Sequence, residues 1–245
     1  MRDRAPGLIG CAATAGFALL FIASGYMPVQ AGPAAARATK EVVFAPHRAV
    51  YDLSLDSASS ASGVTDVTGR IVYELSGSRC EGYAQSMRFV TQTVNQQGDV
   101  QTTDLRTSSW EDVPSTRLRF STNTFQNEVQ AEQTQGEATR AKASGPVTVK
   151  LVRPETRELV LDRDIYFPIQ HSMTIVKAAR EGRFIFSADL FDGSETGDKV
   201  YATSTAIGRQ LKDGQGEPIA LAKGQGGDAL DDIPSWPVLV SYYAR

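Results

Sequence analysis

The chain has 245 residues, 25 Lys+Arg against 28 Asp+Glu, and 41% hydrophobic content. That suits one large β domain or two small ones. Its mild acidity, with no block of like charge, excludes a surface built for a polyphosphate backbone, so nucleic acid is not an expected partner.

The N-terminus divides into three zones. Arg2 and Arg4 form a short positive end, Leu8 to Tyr26 carries no charge, and Pro28-Val29-Gln30-Ala31 sets small residues where a cleavage site needs them. This predicts a signal peptide over residues 1–31, removed before Gly32. An uncleaved anchor is the competing reading, but Gly10, Gly16 and Gly25 interrupt the apolar stretch and the cleavage pattern follows at once. Cys11 precedes most of the apolar run and so does not suit lipidation. No later stretch is apolar enough to span a bilayer, so no stable transmembrane anchor is expected. Export leaves Cys80 as the one cysteine in an oxidising compartment, either a buried thiol or half of a disulfide.

Residues 32–43 begin Ala-, Gly- and Pro-rich and are read as a flexible lead-in. Ala49, Tyr51, Leu53 and Leu55 then share one face of a half-buried strand, and Asp56 to Gly63 is a loop. Arg70 to Leu75 is the next strand, closed by Ser76-Gly77-Ser78. Tyr83 to Val94 and Val100 to Trp110 alternate around a Gly-containing turn at Asn95 to Asp99, which reads as a hairpin. Arg117 to Ser121 follows a turn around Pro114, and Phe125 to Gln135 alternates only weakly. Val147 to Val152 and the short Leu159 to Leu161 are further strands.

Phe167 to Gly182 breaks the period of two. Ile169, Met173 (or Ser172), Val176 and Ala179 (or Arg180) recur at helical spacing, with Pro168 suited to the first turn and Gly182 to a stop. Strands resume at Phe184 to Phe191, Lys199 to Ile207 and Trp236 to Tyr243. Between them lie turns at Asp192-Gly193-Ser194 and Asp213 to Gly216, and a soft acidic loop from Gly224 to Asp232. Around ten strands with hairpin connections and one helix predict a mainly β fold of antiparallel meanders, curled with one face inside.

Several segments carry a resemblance. Ala45-Pro46-His47-Arg48-Ala49-Val50-Tyr51-Asp52-Leu53, Gly69 to Glu74 followed by Cys80-Glu81-Gly82-Tyr83, and Ser108-Ser109-Trp110-Glu111-Asp112 stand in collinear order. So do Phe167-Pro168 with His171, and Leu190-Phe191-Asp192-Gly193-Ser194 with Lys199-Val200-Tyr201. Together they resemble the family of periplasmic cell-envelope integrity proteins typified by EipB, over most of the chain from about Phe44. The resemblance implies an alphaproteobacterial periplasmic protein. Its expected fold is a highly curved, open antiparallel β-barrel, or β-spiral, around one internal helix, as a single domain over residues 44–245. It also implies that Cys80 pairs with a cysteine near the family's C-terminus, which lies beyond Arg245, so the domain is expected to be incomplete at that end.

No motif carries catalytic chemistry. His47 and His171 are the only histidines, and neither lies in a zinc or hydrolase motif, so hydrogen-bonded structural roles are expected for both. Asp192 to Asp198 offers three carboxylates without the spacing of a calcium loop and reads as a turn. Gly224-Gln225-Gly226-Gly227 lacks the Lys-Ser/Thr of a phosphate loop. Phe120, Phe125, Ile169, Met173, Val176, Phe184 and Phe186 invite a ligand-cavity reading, against the default that the helix fills that space and they are core.

The expectation is a non-enzymatic periplasmic protein that supports envelope integrity by binding a protein, peptide or lipid partner. No cofactor or metal is expected. A lipid or lipoprotein carrier using the concave face is the alternative, and a hydrolase the third.

Overall fold

The computed structural model describes residues 41–161, 164–211 and 233–244. The signal peptide, most of the lead-in, the turn at 213–216 and the loop at 224–232 lie outside these residues. Eight strands form one antiparallel meander: β1 (His47–Ser54), β2 (Val64–Ser78), β3 (Gly82–Asn95), β4 (Val100–Glu111), β5 (Arg117–Gln126), β6 (Val129–Thr139), β7 (Val147–Arg153) and β8 (Arg157–Leu161). Helix α1 (Pro168–Arg180) follows. A three-stranded sheet then joins β9 (Ile185–Leu190), β10 (Tyr201–Ile207) and β11 (Val238–Ala244), with β10 in the middle. The larger sheet does not close, because β1 pairs with β2 and β8 with β7 but not with each other. The fold is therefore mainly β, an open barrel with one helix.

Register assigns every strand residue to a face, since successive side chains alternate. Tyr83 stands opposite Glu111, Glu111 opposite Leu118, Leu118 opposite Ala138, and Ala138 opposite Val149. These side chains are buried, and their row marks the inner face. Two neighbouring inner rows run Leu75–Gln85–Ser109–Phe120–Gly136 and Tyr73–Met87–Thr107–Thr122–Thr134.

Three apolar clusters hold the fold. The largest joins Leu118, Phe120, Val147, Val149 and Leu151 of the sheet to Ile165, Phe167, Phe191 and Val200. Phe120 meets Phe191 edge to face at 5.6 Å. Gly193 (φ 73°) lies flat on the Phe120 ring, where a Cβ would come within 2.2 Å of ring carbons. The acidic turn thus caps this cluster. A second cluster packs Ala178 and Ala179 of α1 on Phe186 and Ile207, and a third packs Ile169 and Met173 on Leu75, Tyr83 and Phe44. α1 therefore buries two faces, one against each sheet.

The largest departures from the sequence pattern are in β2 and β5. β2 starts at Val64 rather than Arg70. β5 continues to Gln126 and turns into β6 through Asn127 and Glu128, with φ of 48° and 67°. Positive φ at both central residues is the two-residue hairpin turn that matches strand twist. Here Asn127 supports it without glycine: its Oδ1 accepts from the Thr102 N–H at 2.9 Å, and its N–H donates to the Thr102 carbonyl at 2.9 Å.

Candidate functional site

The N-terminus of α1 is seated in the barrel by a buried polar network. The first N–H groups of a helix lack internal partners, and Phe167 at the N-cap has no side-chain acceptor to offer. Glu111, at the end of β4 and 1% exposed, supplies one from across the barrel. Its carboxylate accepts from the Ile169 N–H at 2.7 Å, the Gln170 N–H at 3.0 Å and the Ser115 hydroxyl at 2.9 Å. Arg140, just past β6, donates to the Ser115 carbonyl at 2.7 Å, to the Ile165 carbonyl, and to Gln170 Oε1 at 2.8 Å. Its guanidinium also lies 4.3 Å from the Phe167 ring centroid. Burial pushes the Glu111 carboxyl up to about 7, against the opposing pull of its three donors and Arg140. Burial likewise lowers Arg140 from its usual range.

The helix is tied to the second sheet through His171. Its Nε2 lies 3.0 Å from Thr203 Oγ1, and that hydroxyl donates to the Ala188 carbonyl at 2.8 Å. With its proton committed there, the hydroxyl accepts, so Nε2 carries the hydrogen. Burial lowers the His171 pKa and favours the neutral ring.

Among the described residues, the inner face beyond α1 is less completely covered. Ile71, Tyr73, Met87, Phe89 and Leu105 are register neighbours on that face, and each is only half-buried. A rim of Thr107, Thr122 and Thr124 adjoins them. The result is a concave apolar surface edged by hydroxyls.

The residues marked from sequence as possible cavity lining are distributed among different surroundings. Phe120 belongs to the first cluster, Phe186 to the second, and Ile169 and Met173 to the third. Met173 also borders an open pocket of about 500 Å³ with Val42, Val113 and Lys177. Val176 is half-buried and Phe184 is 58% exposed. Phe125 lies on the outer face under Arg106, whose guanidinium is 4.6 Å from its centroid. His47 Nδ1 lies 2.9 Å from the Ala45 carbonyl and its ring lies beside Tyr73, whereas the His171 ring lies beside Tyr166 and Phe186. The carboxylates of the acidic turn go separate ways: Asp198 to Arg157 at 2.6 Å, and Glu195 to Lys199 and Tyr201. Cys80 is exposed in the turn between β2 and β3.

Sequence reasoning did not single out Glu111 or Arg140. The available signal was parity, because Glu111 shares the inward face with Leu105 and Ser109, where a carboxylate demands donors. What those donors are depends on a helix 58 residues later, which local pattern does not reveal.

Among the described residues no group of three or more His, Cys, Asp and Glu is placed to hold a metal ion, and no helix is long and apolar enough to cross a membrane. An open antiparallel barrel with one helix seated by buried charge defines a β-barrel-like protein. The chain belongs to the EipB-like family, whose profile matches residues 38–245. It is 35% identical over 232 residues to the cell envelope integrity protein EipB of Brucella abortus (strain 2308), spanning 95% of this chain and 78% of that one. A crystal structure of a β-barrel-like protein of a domain of unknown function, from Brucella abortus, aligns with a TM-score of 0.73 at 34% identity. That alignment covers 83% of this chain and 81% of the other.

Proposed function

We propose that the protein is exported to the periplasm by a cleaved signal peptide and acts there without catalysis. On this reading it supports cell-envelope integrity by holding a partner on its concave face. The envelope role is carried over from the relative named for it. The observation that carries the mode of action is the division of the inner face. α1 occupies one part through Glu111, Arg140 and His171, while Ile71, Tyr73, Met87, Phe89 and Leu105 stay half-buried beside it. Contiguous apolar surface left open on a soluble domain is the usual mark of a contact site. The partner is an apolar segment of an envelope protein or peptide, with a lipid chain as the alternative. A carrier reading is favoured by the same five residues, since together they offer a face for acyl groups.

The test is complementation of a strain lacking the gene, scored by survival in detergent. Phe89→Glu and Leu105→Glu, each checked for folding by circular dichroism, are expected to fail to restore resistance. The double variant His47→Gln, His171→Gln is expected to restore it wherever it folds. Full rescue by both concave-face variants contradicts the binding reading, and loss of rescue by folded double-histidine protein revives hydrolysis.

A further inference from the structure

The eight-stranded sheet ends on β1, which pairs with β2 on one side and with no described strand on the other. Its register with β2 runs without a bulge from His47–Leu75 to Ser54–Thr68. The phase of that ladder follows from the next pair along. The Leu55 N–H donates to the Val67 carbonyl at 2.8 Å, so Leu55–Val67 is a hydrogen-bonded pair. Such pairs alternate, so Leu53, Tyr51, Ala49 and His47 also turn their backbone groups toward β2. Arg48, Val50, Asp52 and Ser54 therefore direct N–H and C=O outward from the edge. Val50 is 51% exposed and Tyr51 57%, on opposite faces of the strand. Neither a bulge nor a proline blunts this edge against pairing with another strand.

The side chains along this edge match themselves. Arg48 and Asp52 flank Val50 symmetrically, and all three share the outer face. When a second β1 is laid antiparallel with Val50 opposite Val50, Arg48 falls opposite Asp52 and Asp52 opposite Arg48. These are the residues whose backbone groups point outward, so the same register completes the hydrogen-bond ladder. On the inner face it sets Tyr51 opposite Ala49, a large side chain beside a small one. A slip of two residues sets Arg48 opposite Ser54 or Val50 and breaks both ion pairs. Asp52 can take the second guanidinium: it now holds Arg70 Nε at 2.6 Å, and both side chains are exposed. Asp104 in the same sheet already holds two, Arg88 and Arg106, each at 2.7 Å. Arg48 makes no ion pair among the described residues. The other edges lack this code. β11 carries no charge from Val238 to Ala244 to fix a register, and Arg157 of the short β8 is tied to Asp198.

We propose that two copies of this chain pair edge to edge through β1, antiparallel about a two-fold axis at Val50, with reciprocal Arg48–Asp52 ion pairs. The two sheets then run on as one, with their inner faces on the same side. An edge of eight residues buries less than the roughly 1,200–2,000 Å² of a stable interface, so the dimer is reversible and concentration-dependent. The assignment stands apart from whatever partner the concave face holds.

Sedimentation equilibrium from about 1 μM to about 500 μM protein is expected to show a monomer–dimer equilibrium. Arg48→Asp alone sets two carboxylates opposite each other at both ends of the pairing, and Asp52→Arg alone sets two guanidiniums there. Each is expected to weaken dimerisation at least tenfold. An equimolar mixture of the two variants again has opposite charges at both ends, and is expected to regain it. If Asp52→Arg does not fold beside Arg70, Val50→Pro takes its place: it removes an outward N–H, leaves the β2 ladder intact, and is expected to weaken dimerisation likewise. A monomer at every concentration, native-strength association of folded Arg48→Asp or Val50→Pro, or a mixture that stays monomeric overturns the proposal.

Discussion

Replacing Glu111 by alanine removes the acceptor for the Ile169 and Gln170 amides and for the Ser115 hydroxyl, all at hydrogen-bond distance. Each buried group left without a partner costs about 1–3 kcal/mol, and breaking a buried charge arrangement on one side costs about 3–5 kcal/mol. The expected loss is therefore about 3–5 kcal/mol. For a domain of this size each kcal/mol moves the melting temperature by about 2–4 °C, so Glu111→Ala should melt about 6–20 °C lower. Thermal denaturation followed by circular dichroism reads this directly, and a shift below about 3 °C refutes the helix-seat argument.

The same carboxyl makes a prediction about pH. Its pKa is raised by burial to about 7 in the folded protein from 4.5. The folded state then holds a proton that the unfolded state releases. The associated stability is fully present below pH 4.5 and is lost as pH rises through about 7, amounting to about 3 kcal/mol. His171 acts in the opposite sense: its pKa is lowered, so its contribution is present above pH 6.5 and is lost as pH falls through the lowered folded-state pKa. Subtracting the profile of Glu111→Gln, which cannot ionise there, isolates the carboxyl. Parallel profiles between pH 4.5 and 8 contradict the assignment.

Three further outcomes are expected. Gly193→Ala places a methyl into the Phe120 ring at positive φ, and should cost about 2–4 kcal/mol in urea denaturation; an unchanged midpoint contradicts the capping role of that turn. On the pairing that the family resemblance implies for Cys80, Cys80→Ser should lower stability by about 2–5 kcal/mol under oxidising conditions, and an equal melting temperature removes that pairing. Arg140→Met leaves Gln170 Oε1 and the Ser115 and Ile165 carbonyls short of donors and removes the one cationic charge that opposes the burial of Glu111. It should raise the Glu111 pKa further, measurable by carboxyl NMR, and an unmoved resonance contradicts the coupling.

How far the sequence reveals this structure depends on the range of the interactions involved. The alternation of Tyr83 to Val94 and Val100 to Trp110 announces β3 and β4 because a half-buried strand needs one apolar face. Pro168 and Gly182 bound α1 for reasons internal to the helix. The start of β2 is hidden because Val64 and Val67 are three residues apart and do not alternate, with Thr65, Asp66, Thr68 and Gly69 around them; Gly69 is set where a Cβ would lie 2.7 Å from the Val90 carbonyl oxygen, a constraint of the neighbouring strand. The β5–β6 hairpin is hidden because Asn127-Glu128 replaces the usual Asn-Gly, with Thr102 of β4 holding Asn127 in place. The Glu111 seat joins β4, the chain after β6, and α1, so only the assembled barrel displays it. The helix faces divide similarly: spacing selects Ile169 and Met173, while Ala178 and His171 are buried by the second sheet.

The most direct test of the account is native mass spectrometry of protein purified from the periplasm, before and after organic extraction. The account predicts a polypeptide lacking its first 31 residues or nearly so, with no extractable lipid mass, because the concave face awaits a protein or peptide partner. A discrete lipid adduct that leaves on extraction contradicts the scaffold reading and makes the protein a carrier, and an uncleaved N-terminus contradicts its export as a free periplasmic chain.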